Sequence, residues 1–75
     1  MSEFEVILPL KVEGIVEQLI KERKMSLEGA LEYLYSSQLY ALLEREETKM
    51  WYYSSQMLLY LLENEKETGK LTLPQ

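Results

Sequence analysis

The chain has 75 residues, 28% of them charged and 47% apolar, with a formal net charge of −5, a profile of one small globular domain rather than a disordered segment. It contains no histidine, cysteine or aspartate, and all thirteen of its acids are glutamates. This composition removes the imidazole base, the thiolate nucleophile, the disulfide and the usual zinc ligands, so no catalytic residue, cofactor or metal is expected.

Residues 3–8 read Glu-Phe-Glu-Val-Ile-Leu. Phe4, Val6 and Leu8 alternate with Glu3, Glu5 and Ile7, a period of two that predicts a short strand with one buried face. Pro9 then ends the strand and suits the first position of a helix. That helix is predicted over residues 9–24, where Val12, Ile15, Val16, Leu19 and Ile20 form an amphipathic stripe. Glu17 and Lys21 make a favourable i,i+4 pair on the other side. Gly14 weakens the helix interior by roughly 1 kcal/mol relative to alanine and marks a place where another backbone comes close.

Ser26 is a strong N-cap for a second helix over residues 26–44. Leu27, Ala30, Leu31 and Leu34 carry its apolar stripe. Ser36-Ser37 interrupts it, giving either a kink or a new helix capped by Ser37. Residues 44–49 are a charged connector. A last helix is predicted over residues 54–68, with Gly69 as its C-terminal glycine and residues 70–75 as a tail. The segment Tyr35-Ser36-Ser37-Gln38-Leu39 recurs as Tyr53-Ser54-Ser55-Gln56-Met57, which two helix starts of one design explain. The fold class is mainly α, a short N-terminal strand followed by three or four helices. The predicted core is Val12, Ile15, Val16, Leu19, Ile20, Leu27, Leu31, Leu34 and Trp51.

A domain of this size buries only about 60% of its unfolded surface when it folds alone. Without disulfides or zinc, a dimer or a docked partner is the expected supplement. The run from Met57 to Leu62 covers every face of a helix, which is either central in the bundle or shared with another chain; in so small a domain the interface is the preferred reading, for Met57, Leu58, Leu59, Tyr60 and Leu62. Tyrosines combine contact area with a hydrogen-bonding tip, so Tyr35, Tyr40, Tyr52 and Tyr53 join this interface set, as do Phe4 and Val6 of the strand. Trp51 and Tyr60 are also read as packing residues, Trp51 closing over the gap between two helices.

The glutamate pairs Glu13/Glu17, Glu28/Glu32 and Glu63/Glu67 have the spacing to share a hard cation, and solvated helix surface is the preferred reading. Lys21, Arg23 and Lys24 favour a helix C-terminus. Net negative charge repels nucleic acid and anionic lipid and suits a basic protein partner, although plain solubility also accounts for it. Glu3 and Glu5 stand where a signal peptide has basic residues. The longest charge-free run, residues 50–62, is shorter than the ~20 residues that cross a bilayer. A cytoplasmic location with no membrane contact is expected.

The strand at residues 3–8, Pro9, the stripe Val12/Ile15/Val16/Leu19/Ile20 and the Ser26-capped helix with Ala30 and Leu31 together resemble the ribbon-helix-helix family over about half the chain. That resemblance implies strands paired between subunits, which in the family enter the DNA major groove. Here Glu3, Glu5 and Ile7 would face the DNA, and glutamates repel phosphates. The whole chain is also similar to small bacterial helical proteins of toxin–antitoxin-like operons, through residues 26–35, Thr48-Lys49-Met50-Trp51 and Lys66-Glu67-Thr68-Gly69. This second resemblance implies an acidic protein that binds and neutralises a basic partner. The sequence thus points to a non-catalytic, antitoxin-like interaction protein that binds a protein partner and itself, with a ribbon-helix-helix DNA-binding regulator as the alternative.

Overall fold

Ser2 starts the first helix. Its hydroxyl accepts the Glu5 N–H at 3.3 Å, and Glu3 and Glu5 lie in the first turn, where acids favour the helix dipole. In the computed structural model, which describes residues 2–73, α1 runs Glu3–Arg23, α2 Leu27–Tyr35, α3 Gln38–Leu43 and α4 Ser55–Thr68. Two 3₁₀ turns, Glu46–Thr48 and Met50–Tyr52, join α3 to α4.

Residues 3–8, predicted as a strand, are therefore helix. Phe4, Val6 and Leu8 fit a period of two, yet Phe4, Ile7 and Leu8 fit i, i+3, i+4 equally well, and a short apolar run cannot distinguish the periods. It is Phe4, Ile7 and Leu8 that pack on the core, while Val6 is exposed. A strand also needs a partner to complete its hydrogen bonds, and the described residues contain none. The paired ribbon implied by the family resemblance is thus absent among the described residues. Pro9 lies inside α1. It removes the bond to the Glu5 carbonyl, but it is exposed, so water reaches the carbonyl it leaves open.

Lys24 ends α1 in the left-handed conformation (φ 58°), and the chain turns back at once. Ser26 caps α2 by accepting the Gly29 N–H at 3.0 Å. The Ser36-Ser37 interruption is a break between two helices. Ser36 ends α2, and the Ser37 hydroxyl accepts the Tyr40 N–H at 3.0 Å and donates to the Leu34 carbonyl at 2.5 Å. The first turn of α3 has a second cap from far along the chain. The Glu65 carboxylate, on α4, accepts the Gln38 N–H at 2.8 Å and the Leu39 N–H at 2.9 Å, and Glu65 is only 7% exposed.

The charged connector is ordered by its own polar groups. Thr48 Oγ1 lies 2.8 Å from the Leu42 carbonyl and 2.9 Å from that of Arg45. Trp51, 1% exposed, donates its indole N–H to the Glu46 carbonyl at 2.9 Å. Phe4 meets its ring edge-on at 5.4 Å and Tyr52 stacks on it at 4.2 Å.

Ser54 caps α4 through the Met57 N–H at 3.1 Å. Gly69, at φ 80°, ends it by donating to the Glu65 carbonyl. Leu58, Leu59 and Leu62, expected at an interface between chains, are buried within this one together with Leu61. The reason is that α4 packs against both α1 and α3, so its apolar faces are covered without a second copy. Gly14 permits the close approach of α1 and α4, since a Cβ there would lie 2.5 Å from Ser55 Oγ. The first residues of the tail are described, with Leu71 packed partly on the core; residues 74 and 75 lie outside the described range.

Glu65→Ala is expected to lower stability by about 2–4 kcal/mol, because the buried Leu39 N–H and the part-buried Gln38 N–H lose a charged acceptor. Glu65→Gln, which keeps one acceptor oxygen, should cost about half as much. Urea denaturation with an unchanged slope measures both. Trp51→Ala should cost about 3–5 kcal/mol, and the wild-type tryptophan should emit in the blue and resist acrylamide quenching.

Candidate functional site

The apolar residues of α1 occupy a very wide arc. At 100° per residue, those from Ile7 to Ile20, the exposed Leu10 apart, span roughly 220° of the helix circumference, about twice the stripe a surface helix needs. Ile15 and Leu19 are fully buried in the core. Val12, Val16 and Ile20, at intervals of four, lie to one side of them. With Leu8 and Pro9 they form one wall of a groove of about 570 Å³. Leu27 and Leu31 of α2 form the opposite wall, and Tyr35 and Tyr40 complete the lining. The two tyrosine rings sit 4.8 Å apart.

The groove is open because α4 occupies the other side of α1 and makes little contact with α2. Among the described residues no third helix lies over the second apolar stripe of α1, in which Val16 is buried and Ile20 exposed. Leu27 is 58% exposed, Tyr35 51% and Ile20 37%. Ile20 and Leu27 were predicted in the core and are corrected here. Val12 and Leu31 are partly buried, while Val16, Leu34 and Trp51 are buried as expected. Ile20 and Leu27 flank the tight turn between α1 and α2, where the two helices have no third helix above them.

Glu13 and Glu17 also line the groove. Neither belongs to an ion pair among the described residues, where the pairs are Arg23–Glu63 at 2.6 Å and Arg45–Glu47 at 2.8 Å. Glu17 and Lys21 do not form the ion pair expected of their spacing. Burial holds the Tyr40 hydroxyl above the usual tyrosine range, and Tyr35 and Glu44 nearby add to the effect. Tyr33, on the far side of α2, is raised by burial and by Glu63 and Glu65, against the opposing effect of Arg23.

The sequence-predicted contact residues divide. Tyr35 and Tyr40 meet in the groove. Tyr53 and Phe4 pack on the core. Val6, Tyr52, Met57 and Tyr60 are exposed, Tyr60 most of all at 65%, and they do not line the groove. Tyr52 donates to Glu3 Oε2 at 3.0 Å, a bond that raises its hydroxyl pKa. A second hollow of about 480 Å³ is lined by Arg23, Tyr33, Glu63, Lys66 and Glu67. Its cations already have partners: Arg23 pairs with Glu63, and Lys66 donates to Ser36 at 3.0 Å and sits over the Tyr33 ring at 4.9 Å. No group of three or more acids that could hold a metal forms among the described residues, and no helix there is long and apolar enough to cross a membrane.

No protein-family model, curated protein or solved structure matches this chain. The site is a concave apolar surface with two tyrosines in its lining and acids at its edge.

The raised values of Tyr33 and Tyr40 carry a pH dependence. A folded state that disfavours the phenolate has its full contribution below about pH 10 and loses it as pH rises through the raised folded value. Denaturation midpoints should hold steady to about pH 9 and fall beyond pH 10. Tyr33→Phe and Tyr40→Phe should each reduce the alkaline fall, and absorbance at 295 nm should show delayed phenolate formation in the folded chain.

Proposed function

We propose that the chain is a non-catalytic protein-interaction module, antitoxin-like in kind, whose docking surface is the groove between α1 and α2. The observation that carries this reading is the combination of Ile20, Leu27 and Tyr35 exposed together on a concave surface. Contiguous apolar patches on a small domain mark contact sites, and the exposed pair Met57 and Tyr60 on α4 lines no such concave surface. The absence of histidine, cysteine and aspartate from the sequence argues against an enzyme. The net charge of −5 and the resemblance to proteins of toxin–antitoxin-like operons both favour a basic protein as the partner.

Self-association has less support than the sequence suggested, because the apolar run of α4 is satisfied within one chain. The DNA-binding alternative has lost its ribbon, since residues 3–8 are helical. The remaining argument for nucleic acid is weak against a net negative charge.

Leu27→Glu and Leu31→Glu test the reading. Leu27 is largely exposed at the first position of α2, so Leu27→Glu should change stability by no more than about 0.5 kcal/mol. A partner purified from the native host with the full chain should lose at least about tenfold in affinity for either variant, or about 1.4 kcal/mol. Tyr60→Glu should leave affinity unchanged. A photo-crosslinking residue at Leu27 should capture that partner, and one at Tyr60 should not. The reverse pattern, capture from Tyr60 and not from Leu27, would place the contact elsewhere and overturn the reading.

A further inference from the structure

We infer that the groove takes a basic amphipathic α-helix of about three turns from a protein partner. The inference rests on the groove being the docking surface and adds what fills it. Length comes first. From Leu8 to Ile20 along α1 is about 18 Å at 1.5 Å per residue, which matches three helical turns. The conformation follows from hydrogen bonding. Both long walls are helices whose backbone groups, the Glu5 carbonyl before Pro9 apart, are paired within the helix, and the described residues hold no strand edge. An extended peptide laid there would bury its own N–H and C=O groups against a floor that offers them no partners. A helix brings its backbone bonds with it and packs as a third cylinder against α1 and α2.

Charge selects which helix. Glu13 and Glu17 edge the α1 wall. On α2, the helical repeat places Glu28 and Glu32 just beyond Leu31 and Tyr35 on the solvent side, and both are exposed. None of these four carboxylates belongs to an ion pair among the described residues. An apolar floor between two rows of acids fits a helix with large apolar residues at i, i+4, i+7 and i+11 and Lys or Arg on its flanks. A second copy of this chain would bring the same carboxylates into the groove, and an anionic lipid surface would be repelled by them.

The test uses the full chain, isotope-labelled, and two hydrocarbon-bridged helical peptides that share leucines at those four positions. One peptide carries lysines on its flanks and the other glutamates. The lysine peptide should shift the amide signals of Val16, Ile20, Leu31 and Tyr35, bind at least about tenfold more tightly than the glutamate peptide, and weaken between low and high salt. The double variant Glu13→Lys/Glu17→Lys, changed only at exposed positions, leaves Glu28 and Glu32 in place and should abolish most of the preference. Equal binding of both peptides in the groove would overturn the charge requirement while leaving the docking surface in place. Failure of both peptides to shift the groove signals would overturn the helical occupant; the docking reading then stands or falls separately on crosslinking of the native partner at Leu27. A dimer of the free protein that Leu31→Glu dissolves would make the occupant a second copy, and binding to anionic vesicles through the same residues would make it a membrane. Either result overturns the proposal.

Discussion

The buried carboxylate of Glu65 ties the two halves of the molecule together. A charge out of water needs donors, and this sequence supplies few cations and no imidazole. The donors are the free N–H groups at the start of α3, which lack partners within their own helix. One interaction thus meets two needs, solvating the acid and capping a helix of only six residues that would not persist alone. It also fixes α4 against the corner between α2 and α3, and that placement buries Leu58, Leu61 and Leu62. The position of α4, in turn, decides which side of α1 is covered.

The groove is what remains after that decision. α1 carries more apolar surface than two neighbours can cover, and α4 and Trp51 take the side bearing Ile15, Leu19 and Phe4. The side bearing Val12, Val16 and Ile20 is left to α2, whose nine residues form a wall but no roof. Adding a further helix on this side would complete a bundle of ordinary proportions. The fully buried Ile15 and Leu19 of α1 face away from this opening. The acids along the groove's edge then act on association more than on folding, since exposed charges at such spacing contribute little to stability.

The sequence was most informative where a single residue has one good role. Ser26, Ser37 and Ser54 cap helices and Gly69 ends one, because a hydroxyl before an apolar turn and a glycine after a long helix have few competing uses. Trp51 was legible as a buried closure for a similar reason. Residues 3–8 were not, since their apolar residues satisfy two periods at once and the proline after them suggested a boundary. The run at residues 57–62 was misleading in another way. Leu58, Leu59, Leu61 and Leu62 are buried as such a run suggests, while Met57 and Tyr60 are exposed, and a sequence does not say whether the cover is its own chain. Half of the groove was present in the pattern as the excess width of α1's apolar arc. Ile20 and Leu27 were nevertheless assigned to the core, because nothing local reveals that the turn between them has no helix above it.

Pro9 divides α1 into unequal parts. The ladder of backbone bonds is interrupted at the Glu5 carbonyl, so the segment before the proline is joined to the rest of the helix less firmly than its continuous dihedral angles suggest. Its main tertiary anchor is Phe4 against Trp51. Local opening of this segment needs the release of the core contacts of Phe4, Ile7 and Leu8, the Tyr52–Glu3 hydrogen bond and a few exposed backbone bonds, still less than global unfolding. Amide protons of these first turns exchange through that small opening, while those around Ile15 and Leu19 wait for the whole domain. Leu8 and Pro9 also form one end of the groove, so that end adjoins the interrupted part of the ladder. A bound helix that reaches Leu8 would slow exchange in turns it barely touches.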